Sequence, residues 1–184
     1  MPRFLSCFES PPSSPSTSTS TSNQDPSPIL ISPKTPPEQI QGCTFCDVSV
    51  QKGFKVTYED DQLIAFHDRT PRAKVHLLVI PRKHVVDSVK DLTSDHLPLL
   101  RSMTSLAERL VPPDPPPKMG FHIPPFSSVP HLHLHVFSGS HTFIGRFKYP
   151  ISTHGDEKGL GWFVTANQVE RTLAAGARVG LGRG

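Results

Sequence analysis

The sequence predicts an α+β domain, an antiparallel sheet of about five strands with one long helix and one or two short helices on one face. Three observations predict it. Short apolar segments of strand composition recur between residues 54 and 137, joined by local connections. A single long segment, Leu97 to Leu110, changes to helical spacing. The pattern Thr165-Ala166-Asn167-Gln168 reads as a capping box that opens a further short helix.

The elements follow in order along the chain. Cys43 to Gln51 is short and mostly apolar, and reads as a brief helix. Phe54–Glu59 and Leu63–His67 flank Asp60-Asp61, a turn signal, and so form a hairpin. Val75–Ile80 is a nearly continuous apolar run closed by Pro81, which suits a central strand. Leu97, Leu100, Met103, Ala107 and Leu110 then recur three and four residues apart, the stripe of an amphipathic helix. Thr93 or Ser94 can cap it, and Pro98 falls in its first turn, where the missing N–H costs nothing. The proline run Pro112–Pro117 stops the helix. Lys118–Ile123 and His131–Phe137 are two further strands, and the last helix runs through Val169 and Leu173.

The flanks have a different composition. From Ser10 to Pro37, 21 of 28 residues are Ser, Thr or Pro. Such a segment cannot bury enough apolar surface to offset the entropy of ordering it. Residues 1–37 are therefore expected to be a disordered tail, 38–176 the folded domain and 177–184 a flexible C-terminal tail. No apolar run approaches the ~18 residues of a membrane span. Met1 to Phe8 is too short for a secretory apolar region, and three cysteines make no disulfide framework. The reading is an intracellular protein, cytoplasmic or nuclear, with no membrane partner. Nineteen basic against sixteen acidic residues leave a net charge of +3. The charges are dispersed, so a dedicated nucleic-acid binder is possible but not favoured. The clearest cluster, Arg69, Arg72, Lys74, Arg82 and Lys83, suits either an anionic partner or a solvated strand edge.

The chemistry concentrates in His131-Leu132-His133-Leu134-His135-Val136-Phe137. Side chains of a strand alternate faces, so three imidazoles would project from one face, ~7 Å apart, while Leu132, Leu134 and Val136 enter the core. Three such residues are costly for a sheet that only has to fold. Two chemistries compete for them. His-x-His on a strand is a common metal geometry. A neutral imidazole, with a pKa of ~6.5, is also a good nucleophile toward phosphorus near neutral pH. Neighbouring histidines would then donate to phosphoryl oxygens and to the leaving group.

The segment HLHLHVF matches the signature His-φ-His-φ-His-φ-φ, with φ apolar, of the histidine triad proteins. Phe66–His84 (FHDRTPRAKVHLLVIPRKH) resembles a second sequence block of that family. Around the triad, GFHIPPFSSVPHLHLHV is similar to its nucleotide-binding branch and less closely to the aprataxins. The resemblance spans about Cys43 to Ala175. It implies the histidine triad fold, a homodimer, no organic cofactor and a purine nucleotide substrate, AMP or an adenylate. It implies hydrolysis or transfer through a nucleotidyl-histidine, as in an adenosine 5′-monophosphoramidase. His133 would be the nucleophile on the α-phosphorus, and His135 would contact the phosphate. Ser128 would contact phosphate and leaving group. Asp68 would hold the ribose hydroxyls, since a carboxylate accepts two vicinal O–H donors well. His67, Phe66 and Phe45, with Val48 and Ile64, would surround the nucleoside. Gly120 stands where many nucleotide-binding members carry Asn, and Phe126 where they carry Gly. His122 would compensate.

Cys43 and Cys46 form a Cys-x-x-Cys pair, which alone reads as a redox motif, half a zinc site or coincidence. The resemblance joins the pair to His84 and His131, two thiolates and two imidazoles in a closed tetrahedral zinc site. His131, otherwise a candidate for catalysis, could not then donate a proton to the leaving group. Two other functions compete with the hydrolase: an aprataxin-like DNA 5′-adenylate hydrolase, and a non-enzymatic nucleotide-binding or scaffold protein.

Overall fold

The computed structural model describes residues 39–151 and 161–181, so the expected N-terminal tail lies outside the described residues. Nine elements follow in chain order: β1 (Val56–Glu59), β2 (Leu63–His67), β3 (Ala73–Pro81), α1 (Leu97–Leu110), β4 (Lys118–His122), β5 (Leu134–His141), α2 (Phe143–Lys148), β6 (Phe163–Thr165) and α3 (Ala166–Ala174). The strands make one six-stranded antiparallel sheet in the order β1-β2-β3-β5-β4-β6. Among the described residues no helix is long and apolar enough to cross a membrane.

Local chemistry accounts for the elements the sequence foresees. Asp60 closes the β1–β2 turn: its Oδ1 accepts from the backbone N–H of Gln62 at 2.8 Å and of Leu63 at 2.7 Å. Thr93 takes the capping place ahead of a short 3-10 turn, Ser94–His96, that leads into α1. The capping box of α3 is complete, with Thr165 accepting from Gln168 N and Gln168 accepting from Thr165 N.

Period two then sorts the sheet into two faces. Leu63, Ala65, Leu77, Val79, Leu134 and Val136 form one face, and pack against Leu100, Met103, Leu106 and Ala107 of α1 and Val169 and Leu173 of α3. This is the main core, and both longer helices cover it. The opposite face carries Ile64, Phe66, Leu78 and Ile80 under the Cys43–Val48 segment. Further along the same face, Phe137, Tyr149 and Phe163 make a smaller apolar cluster. The functional residues lie on this second face.

Several expectations change. Cys43–Gln51 forms two 3-10 turns, Thr44–Asp47 and Val50–Lys52, because Ser49 is extended at φ −158° between them. The strand expected at His131–Phe137 begins at Leu134. His131 N–H is spent on Val129 O and Leu132 N–H on Val86 O, so this stretch is pinned to loops and not to a neighbouring strand. Val179, expected in a flexible tail, is buried in the main core. No pattern announces α2, whose Phe143, Ile144 and Phe147 are exposed, nor the three-residue β6.

β6 explains Gly120. The two strands pair with Gly120 opposite Thr165, and a Cβ at position 120 would collide with the Phe163 ring and the Val164 carbonyl oxygen. Gly120→Ala should therefore destabilise the fold by about 1–3 kcal/mol, through overpacking against a backbone that cannot step aside. A urea midpoint no lower than that of the native sequence would contradict this packing.

Candidate active site

Leu132, Leu134 and Val136 are almost fully buried in the main core. The intervening histidines are thereby turned to the other face, although only His135 belongs to a strand proper. β3 supplies His76 beside them and β4 supplies His122. A cleft of about 670 Å³ opens on this face, and His76, His122, His133 and His135 all line it.

His133 has a fixed tautomer. Its Nδ1 lies 2.6 Å from the carbonyl oxygen of His131, which can only accept, so Nδ1 carries the hydrogen and Nε2 keeps its lone pair. Burial lowers its pKa and keeps the ring neutral. The Phe45 ring packs edge-on against it at 5.4 Å and against Phe66 at 5.4 Å, and Phe54 meets Phe66 at 5.1 Å. These three rings make an aromatic wall of the cleft. Asp68 lines it too; its Oδ1 accepts from Thr70 N at 2.7 Å, and its Oδ2 lies 3.6 Å from His76 Nε2.

The other three histidines form a directed chain. Arg72 N–H donates to His76 Nδ1 at 3.3 Å, so His76 carries its hydrogen on Nε2. That hydrogen reaches His135 Nδ1 at 3.0 Å. His135 Nε2–H then donates to His122 Nδ1 at 3.2 Å, and His122 Nε2–H to Lys148 O at 3.1 Å. A backbone donor at one end and a backbone acceptor at the other set every tautomer between them. Burial holds His76 and His122 neutral, each lowered to about 4, and lowers His135 well below its ordinary value. Tyr149 packs on all three rings, at 5.3, 5.0 and 4.8 Å, and burial pushes its hydroxyl pKa up. Asp68, His76 and His135 are close enough to share an ion, but the nitrogens of both histidines are already committed to this chain.

His131 goes elsewhere. It is fully buried and lies outside the cleft lining, its Nδ1 3.5 Å from Cys43 Sγ and 3.6 Å from Cys46 Sγ. His84 Nδ1 lies 3.4 Å from Cys46 Sγ. The far nitrogen of each imidazole is tied down, His131 Nε2 to Pro81 O at 2.8 Å and His84 Nε2 to Asp87 Oδ1 at 2.7 Å. Both Nδ1 lone pairs therefore point at the two thiols. Four ligand atoms within 4.8 Å of one another, with partners behind both imidazoles, fit a metal ion.

The structure brings His133, His135, His122, Asp68, His67, Phe45, Phe66 and Ser128 to one cleft, with Phe126 at its exposed margin. Val48 and Ile64 are packed beneath it and do not line it. Sequence reasoning missed His76, Phe54 and Tyr149. His76 had a signal, a lone imidazole inside the buried run VHLLVI. Tyr149 had none, since it follows an unforeseen helix.

The buried imidazoles make stability depend on pH. The folded values of His76 and His122, about 4, lie below the ordinary 6.5 of an unfolded chain. As the pH falls through that window, the unfolded chain takes up protons that the folded chain refuses. The thermal midpoint should fall steadily between about pH 6.5 and pH 4, and His122→Gln should flatten that slope. An acid limb equally steep in the variant would contradict the role of His122.

Comparison with known proteins agrees with this geometry. The family described as "Scavenger mRNA decapping enzyme C-term binding" matches residues 42–148. The chain is 34% identical over 142 residues to the adenosine 5′-monophosphoramidase HINT3 of Xenopus tropicalis, covering 72% of this chain and 88% of that one. It is 40% identical over 104 residues to the bifunctional adenosine 5′-phosphosulfate phosphorylase/adenylylsulfatase HINT4 of Arabidopsis thaliana, covering 53% and 70%. A histidine triad protein from Clostridium difficile superposes with a TM-score of 0.50 at 25% identity, over 56% of this chain and 96% of the other. The fold, the cleft built on HLHLHVF and these likenesses lead to one conclusion: the chain belongs to the histidine triad family.

Proposed function

We propose that this protein hydrolyses purine nucleoside phosphoramidates and related adenylates, releasing AMP. One observation carries the reading: the His133 hydrogen bond to His131 O leaves an unprotonated, neutral Nε2 at the cleft. Such a nitrogen attacks phosphorus without a base having to deprotonate it first. The activities for which the two relatives are named, both on adenosine 5′-phosphoryl compounds, support the substrate class.

The roles follow from position. The purine stacks in the wall of Phe45, Phe54 and Phe66, and Asp68 accepts from the ribose hydroxyls. His133 Nε2 bonds to the α-phosphorus while the bond to the leaving group breaks, and the amine departs with a proton taken from solvent water in the cleft. Water then cleaves the P–N bond to His133, restoring the neutral imidazole and AMP. The His135 Nε2–H, now directed at His122, is the donor for a phosphoryl oxygen, and Ser128 lies in the same cleft. Cys43, Cys46, His84 and His131 would together hold zinc. Four protein ligands would complete its coordination, so the ion would supply structure and no chemistry. A homodimer that pairs strands would use β1 or β6, the two edges of the sheet, because β6 already occupies the outer side of β4.

His133→Ala should lower turnover of adenosine 5′-monophosphoramidate by at least about a thousandfold, followed by AMP release. Undiminished turnover would remove the proposal, and a strong preference for an adenylated DNA nick would reassign the substrate. Asp68→Ala should weaken AMP binding about tenfold or more, the scale of a charge-assisted hydrogen bond, and reduce discrimination against the 2′-deoxy nucleotide in calorimetry. Metal analysis should find about one zinc per chain, lost in Cys43→Ser.

A further inference from the structure

We propose that the metal cluster is the positioning device for the nucleophile, so that metal and nucleotide bind cooperatively although they occupy separate sites. The inference rests on the functional reading above and adds a link that reading does not require.

Two connections run from the cluster to His133. The first is His131 itself. Its Nδ1 faces both thiols, its Nε2–H is held by Pro81 O at the end of β3, and its own carbonyl takes the His133 Nδ1–H at 2.6 Å. The acceptor that fixes the nucleophile's tautomer thus belongs to a residue whose side chain is a metal ligand. A backbone shift at His131 moves that acceptor directly.

The second connection is Phe45. It lies between Cys43 and Cys46 in a single 3-10 turn, so ligation of both thiols fixes the turn that carries it. Its ring packs against His133 at 5.4 Å and Phe66 at 5.4 Å. The turn is a partition. Phe45 lines the nucleotide cleft and not the neighbouring surface cavity of about 680 Å³, Cys43 and Cys46 line that cavity and not the cleft, and Thr44 borders both. One wall therefore has ligands behind and the nucleoside slot in front.

The main core lies on the far face of the sheet and contains none of the four ligands. Removing the metal should loosen the wall and free His133 to change tautomer while the domain stays folded. Reciprocity then follows: whatever factor the metal adds to nucleotide affinity, the nucleotide adds to metal affinity.

The test uses the full chain with zinc bound. A chelator is titrated with and without saturating AMP, and AMP binding to loaded and stripped protein is measured by calorimetry. Both comparisons should give the same factor, about tenfold, within the usual range for coupled sites. Nitrogen-15 spectra of the imidazoles should show one Nδ1–H tautomer at His133 when loaded and a mixture when stripped. Phe45→Leu should keep cobalt absorption in the cluster and reduce the coupling factor. Equal AMP affinity in loaded and stripped protein, or an unchanged His133 spectrum, would overturn the proposal. So would loss of the dispersed amide spectrum on stripping, which would make the metal a staple for the whole fold. Failure of the loaded protein to bind AMP at all would instead strike the functional reading.

Discussion

The bond between His133 Nδ1 and the carbonyl of His131 is short, buried and one-directional, since an amide oxygen has no hydrogen to give. It converts a ring with two interchangeable nitrogens into one with a donor on the protein side and a lone pair on the cleft side. The rest of the local architecture holds the two ends of this bond in place. Leu132 and Leu134, sunk in the main core, keep the backbone extended, and Phe45 closes the ring in from the side. Burial meanwhile keeps the imidazole uncharged, so that its lone pair is not occupied by a proton.

The neighbouring histidines obey the same logic on a larger scale. Four buried imidazoles on one sheet face would repel strongly if charged, and His76, His122 and His133 each lower the proton affinity of a neighbour. Keeping all of them neutral removes the repulsion but leaves each with one donor and one acceptor to satisfy. The chain from Arg72 N to Lys148 O does this for His76, His135 and His122, while His133 gives its donor to His131 O and keeps its Nε2 lone pair for the cleft. It also connects the strand that bears the triad to the last turn of α2.

Much of this was legible in the amino-acid order because it rests on periodicity. The alternation of His131, His133 and His135 with three apolar residues correctly separates the sheet's faces, and the Leu97–Leu110 stripe marks the span of α1, although Thr93 caps a 3-10 turn ahead of the helix and not the helix itself. What period two cannot say is where hydrogen bonding stops. His131 and His133 keep the alternation but lie ahead of the strand, and that displacement lets His131 reach the cysteines. His76 is visible as a lone polar residue in an apolar run, yet its partner is 59 residues away, beyond any local signal. β6 is three residues long and α2 exposes its apolar side chains, so neither leaves a pattern.

The closing of the sheet by β6 also constrains how this site can change over generations. At position 120 the obstruction comes from a side chain, Phe163, and equally from the main chain at Val164. A smaller residue at 163 removes only half of it. A lineage could place an amide or hydroxyl there only after its C-terminal strand had withdrawn, so the order of the two events is fixed: the edge must open before the new side chain can arrive.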